Sequence, residues 1–396
     1  MKKWIVLLLV LCLSAGVMGC GKKAQPAQTL PETEPVETTQ PAEPERPGTV
    51  VGVSLPSSTD KFWVETARAI RQQLEKQGYE MAAFFAEDEV ETQQRHLREM
   101  LINEVACMVI VPVDSLALLE QEEDAREAGI PVIGLDRQLM HTDGVDVLVT
   151  YDYRQMGADV ARQIIAEKQL DAADPERRPY TVELFMGTPE NHSALLFYTG
   201  VMEVLQPYLD SGALECPSGR LDFEDVYVQP ATMDQSHLFC ADRLEREYTE
   251  RKLDICFAAD DTIAAGCRAA LAAAGQTGDK WPLITGQGGD LGSVKTLANG
   301  RQTVTVYKDP AALGIACADV AVQLMNGQTV QTDGVTSDNQ VRSVPTVMLP
   351  YQVITMGNYR QLLVDTGIYD EKEFPVEEPT VPTETTQPVE TTQPTT

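Results

Sequence analysis

Residues 106–136 read ACMVIVPVDSLALLEQEEDAREAGIPVIGLD. Two short apolar runs, 106–113 and 131–136, flank a mixed stretch that Gly129 stops. Runs of this kind read as strands buried on both faces, and 115–128 between them reads as a helix. A strand, a helix and a second strand in this order build a parallel unit.

The same alternation extends outward in both directions. VVGVSL (50–55) precedes a helix over 60–77 that carries Phe62, Trp63, Ala67, Ile70 and Leu74 at helical spacing. A strand at 79–86 and a helix at 90–104 follow. The theme restarts at VLVTYD (147–152), with strands predicted at 181–187, 226–230, 255–260, 283–289 and 303–308. Helices are predicted at 155–168, 191–205, 233–249, 262–274, 290–298 and 311–326, and a strand region at 343–355. This is too much chain for one core, so two similar α/β lobes are expected. Ligands of open parallel sheets bind beyond the carboxyl ends of the strands. Those ends here include Ser58, Asp136, Arg137, Asn191, His192, Gln229, Asp260, Asp261 and Lys308.

Both termini read differently. MKKWIVLLLVLCLSAGVMGC (1–20) has basic Lys2 and Lys3, a short apolar run and Val17-Met18-Gly19-Cys20. It is expected to be a lipoprotein signal peptide, with Cys20 lipidated. Residues 21–48 and 375–396 are rich in Pro, Glu and Thr, and share the unit VETTQP at 36–41 and 389–394. They are expected to be a disordered tether and a disordered tail.

Acidic residues number 60 against 31 basic ones, a net charge of −29. That excess excludes nucleic-acid binding, which needs a basic face. No Walker loop, GxSxG or paired-His motif is present, so an enzyme is not expected. Four histidines, and cysteines without CxxC spacing, predict no metal and no cofactor. The cysteines read as small buried hydrophobes, with a Cys216–Cys240 disulfide as an alternative.

The chain resembles the type I periplasmic sugar-binding proteins, and among them the multiple-monosaccharide-binding lipoproteins of ABC importers. The resemblance rests on AREAGIPVIGLDRQ (125–138), VELFMGTPEN (182–191), TGVMEVLQPYLDSGAL (199–214), LITGQ (283–287), TVYKD (305–309) and LLVDTGIY (362–369). It implies a periplasmic-binding-protein-like I fold with two doubly wound parallel-sheet lobes. Lobe 1 would take 49–152 with 309–343, lobe 2 would take 153–308 with 344–370, and a three-crossover hinge would join them. It implies a membrane-anchored, extracytoplasmic monomer that captures a monosaccharide for an ABC permease. A ligand sensor presenting its closed state to a membrane receptor is the alternative. A repressor of the same core fold is excluded by the signal peptide and the charge.

The resemblance further implies that Asp136, Arg137 and Lys308 grip the ligand, with Trp63 and Phe62 as aromatic wall. Asn191, His192, Gln229, Asp260, Asp261 and Ser58 are the other expected contacts. Ser58 and Phe62 stand where the family carries Lys and Arg, and Gly288 where it carries an Asp. Those exchanges predict a ligand larger or less hydroxylated than glucose.

Overall fold

The computed structural model describes residues 48–171 and 178–374. The signal peptide, the tail and all but the last residue of the tether fall outside them. The chain begins with β1 (Val50–Leu55), α1 (Lys61–Lys76), β2 (Glu80–Phe85), α2 (Val90–Ile102), β3 (Cys107–Ile110), α3 (Leu119–Glu127), β4 (Val132–Leu135) and β5 (Val147–Tyr151). It continues through α4 (Tyr153–Glu167), β6 (Tyr180–Phe185), α5 (His192–Asp210), β7 (Leu214–Glu215), α6 (Phe223–Val226), α7 (Met233–Glu247) and β8 (Ile255–Ala258). Next come α8 (Asp261–Ala273), β9 (Leu283–Ile284), α9 (Leu291–Ala298), β10 (Val304–Tyr307) and α10 (Pro310–Met325). Strands β11 (Thr336–Asp338), β12 (Ser343–Leu349) and β13 (Gln352–Thr355) follow.

The first sheet runs β11-β12-β5-β4-β3-β1-β2 and is parallel except for β11. Its strands alternate between two cores, as the pleat requires. Cys107 and Val109 of β3 join one cluster with Trp63, Ile70 and Leu74 of α1 and Leu313 and Cys317 of α10. Met108 and Ile110 join the other with Leu97 and Met100 of α2 and Ala125 of α3. Helices therefore cover both faces, and a one-residue slip of β3 would exchange the two sets. The second sheet runs β7-β6-β8-β9, all parallel. A bridge between Gly288 and Tyr307 carries it on to the antiparallel pair β10-β13.

Helices α4 and α5 touch backbone to backbone. A Cβ on Gly157 would lie 2.1 Å from the Phe197 carbonyl oxygen, and one on Gly200 only 1.8 Å from that of Arg154. Only glycine permits that approach.

The chain passes between the sheets at Asp152 and at Lys308–Asp309. The third passage does not fall at 344. Thr346–Leu349 pairs in parallel with Leu148–Tyr151, so β12 belongs wholly to the first sheet. Pro350, which lacks an N–H, follows β12, and β13 is already in the second sheet. The expected strand at 226–230 is also absent. Phe223–Val226 is a short helix whose Phe223 ring packs against Tyr198, and only Tyr227 bridges to Met186.

Candidate ligand-binding cleft

The carboxyl ends of strands from both sheets open onto one cavity of about 800 Å³. From the first sheet come Ser57 after β1, Asp88 after β2, Asp114 after β3, and Asp136 and Arg137 after β4. From the second come Glu190 and Asn191 after β6, Asp260 after β8, Gln287 after β9 and Lys308 after β10. Phe62 and Trp63 line it from the start of α1. Asp60 sets them there by capping that helix, accepting from the Phe62 N–H at 2.9 Å.

Three buried side chains form the floor. Asp136 sits at φ 60°, a left-handed conformation that Asp tolerates, with its main-chain oxygen held by Thr150 Oγ1 at 2.6 Å. Its carboxylate accepts from the Tyr153 hydroxyl at 2.6 Å and lies 3.5 Å from Lys308 Nζ. Lys308 Nζ is also 2.7 Å from the Tyr153 oxygen and 4.9 Å from the Phe62 ring centre. Burial lowers the Lys308 pKa, and Asp136 opposes that shift. Each partner of this triad comes from a different segment, and Lys308 and Tyr153 stand at two of the chain passages.

Arg137 is half-buried, donates one bond to the Pro112 carbonyl at 3.1 Å, and lies 5.7 Å from the Trp63 ring centre. Among the described residues it has no ion-pair partner within 4 Å. Most of its five N–H donors are therefore free for a ligand. Asp88 is near enough for the guanidinium to counter the rise in its pKa that burial causes.

Several expected contacts are occupied by structural duties. Asp260 caps α8, accepting from the Ile263 N–H at 2.7 Å, and Asn191 caps α5. Asp261 accepts from the Gly289 N–H, Gln302 and Thr305, so its carboxylate is consumed by the loop after β9 and by the start of β10. Gln229 is tied to Glu190.

Two expected residues are not in the wall. Ser58 is exposed, and Ser57 takes its place because the turn into α1 folds around the Ser57 hydroxyl. His192 is the first residue of α5; its N–H faces Ser115 Oγ at 3.3 Å, and burial, then His141, lowers its ring pKa.

Gly288 does not open volume either. Its φ is 141°, and a Cβ there would sit 3.1 Å from an Asp261 oxygen. An Asp side chain at this position would be strained and would face a like charge. Sequence reasoning also missed Lys61 and Tyr153. Lys61 lines the cavity, so the first loop keeps a basic side chain after all. Tyr153 carried a readable signal: an aromatic directly after the VLVTYD strand, where the chain leaves the first sheet.

Burial raises the Asp260 pKa from 3.8 to about 6. Between those values the folded chain holds more protons than the unfolded one, so stability grows as pH falls through that window. Asp260→Asn keeps the capping oxygen and removes the half-buried charge. We expect it to raise the ligand-free melting temperature at pH 7, by about 1–2 kcal/mol in stability, and to flatten the profile between pH 4 and 6. A lower melting temperature at pH 7 would show that the carboxylate is favourable where it stands.

Two parallel sheets whose strand ends meet across one polar, aromatic-walled cleft define the class of two-lobed solute-binding proteins. The chain belongs to the periplasmic binding protein domain family, whose model matches residues 51–329. It is 31% identical over 325 residues to the multiple sugar-binding periplasmic receptor ChvE of Rhizobium radiobacter, covering 81% of this chain and 90% of that one. It is 27% identical over 323 residues to the D-xylose-binding periplasmic protein of Escherichia coli, covering 82% and 92%. An ABC transporter solute-binding protein of Clostridium phytofermentans, solved with bound β-D-glucose, superposes with a TM-score of 0.77 at 29% identity. That match covers 82% of this chain and 99% of the other.

Proposed function

We propose that the protein captures one monosaccharide in this cleft, outside the cytoplasm, and delivers it to an ABC importer. The observation that carries the reading is the convergence of Arg137 and the Lys308–Asp136–Tyr153 triad on a wall that includes Phe62. A sugar hydroxyl both donates and accepts, so adjacent charged donors and acceptors satisfy it with strong bonds. An aromatic face covers the sugar's C–H groups. Asp60, Lys61, Asp88 and Glu190 keep the cavity rim richly polar, which favours an ordinary, fully hydroxylated aldose over a deoxygenated one.

In this reading one lobe comprises about 49–152 with 309–349, the other about 153–308 with 351–370, and the three passages are the hinge. The cavity exceeds the size of one sugar, so binding is expected to close it. A thermal-shift screen of D-glucose, D-galactose, D-xylose and L-arabinose tests the ligand class. A true ligand at ~100 times its Kd adds about 2.7 kcal/mol of stability. Small-angle scattering should then give a smaller radius of gyration with the bound sugar. Absence of any shift across the four aldoses would remove the monosaccharide reading.

The Cys20 reading implies a membrane-anchored protein whose acyl chains, at ~0.8 kcal/mol per buried CH₂, hold it to the outer face of the membrane. The wild type should enter the detergent phase on partitioning, and Cys20→Ala should stay in the aqueous phase. Equal partitioning removes the anchor.

A further inference from the structure

Cys240 of α7, Cys256 of β8 and Cys267 of α8 come from three different elements and are all fully buried. Their sulfur atoms lie within 4.8 Å of one another. None is in a disulfide, and the alternative of a Cys216–Cys240 bridge is not formed. Cys216 instead meets the Ser218 hydroxyl and the Arg220 carbonyl. The fold thus makes the cluster that sequence spacing argued against.

Two observations separate this triad from ordinary packing. Three sulfurs so placed always leave a point within about 2.8 Å of all of them, close to the thiolate–metal bond length of about 2.3 Å. Arg243, one turn along α7 from Cys240, places a buried cation nearby; its guanidinium lies 3.3 Å from Glu183 and 4.5 Å from the Phe185 ring centre.

We propose that Cys240, Cys256 and Cys267 form a three-sulfur site for Cu(I). Soft sulfur ligands select Cu(I) and zinc among biological metals, and structural zinc requires a fourth ligand. Among the described residues no His or carboxylate joins the group. The Cys267 carbonyl is 3.9 Å from Cys240 Sγ. A three-coordinate d¹⁰ ion suits the set. Three S–Cu bonds form, the thiol protons leave to solvent, and no electron moves because copper enters as Cu(I). Since all three sulfurs are buried, the ion enters as the chain folds and would then tie α7 and α8 to β8.

The test is anaerobic refolding of the full chain, with Cys12 and Cys20 replaced by Ser, in the presence of Cu(I) held by a Cu(I)-selective chromogenic chelator. The expected result is one copper per chain, three sulfur neighbours by X-ray absorption, and a raised melting temperature. Cys256→Ser should lose the copper and Cys216→Ser should keep it. A refolded parent chain that retains no copper, with a melting temperature equal to that of the copper-free chain, overturns the proposal. So does retention of full copper by Cys256→Ser, or preferential uptake of Zn²⁺. If Cys256→Ser does not refold, the sulfur count in the parent decides alone, and fewer than three overturns it.

Discussion

Arg137→Ala should weaken sugar binding by about 2–3 kcal/mol, roughly a hundredfold in Kd, while leaving the ligand-free melting temperature nearly unchanged. The asymmetry follows from what the guanidinium touches. Its one protein hydrogen bond is to the Pro112 carbonyl, and no described carboxylate pairs with it. The free fold therefore loses little when it goes. A bound hydroxyl that had accepted its bonds is left unpaired in a closed cleft, and that costs the full desolvation of the group. Calorimetry on the aldose found in the thermal screen, beside melting curves of the free proteins, reads both quantities. Intact affinity with a large fall in the free protein's stability would make Arg137 a structural residue.

Lys308→Met behaves oppositely, with both quantities falling. Removing one partner of a buried pair leaves the other charge uncompensated, at about 3–5 kcal/mol. Asp136 still keeps the Tyr153 hydroxyl at 2.6 Å, so the lower end of that range is expected. Lys308 also carries the largest expected share of the network that faces both sheets, so sugar binding should be lost. The double variant Asp136→Asn/Lys308→Met removes the stranded charge and should recover most of the melting temperature without recovering affinity. Additive losses in the double variant would mean that the two groups do not depend on each other.

The strands with the plainest signal in the sequence are those buried on both faces. VVGVSL, CMVI, VIGL and VLVTY are continuous apolar runs, and all are in the first sheet. β7 and β11 have two and three residues and no such run, so nothing marks them. The stretch VYVQP has strand-forming residues, but aromatic packing of Phe223 before it and Pro230 at its end leave a single bridge. At the cleft, Asp136, Arg137, Asp260 and Lys308 were legible because a parallel sheet delivers its strand ends to one edge. Which side chain of a loop turns inward depends on hydrogen bonds within the loop. That is why Ser57 replaces Ser58, and why Asp261 lines the cleft with a carboxylate already spent on Gly289, Gln302 and Thr305. The cysteine triad was illegible because its members adjoin only after α7 and α8 have packed on β8.

The order of strands has a consequence for how the chain is made. β12, at residues 343–349, is the link between β5 and β11, and β13, at 352–355, is the only partner of β10 in its antiparallel pair. A ribosome releasing this chain from its amino end delivers the last strand of both sheets almost at the very end. Until then β5 is an open edge, able to pair with another chain. Completion of the first sheet depends on pairing Thr346 with Leu148, a contact that spans about half the sequence, which makes folding of that sheet slow and late. A chain stopped at residue 342 would lack the final strand of both halves at once, and its defect would be one of assembly in both lobes, however much of the cleft it had already synthesised.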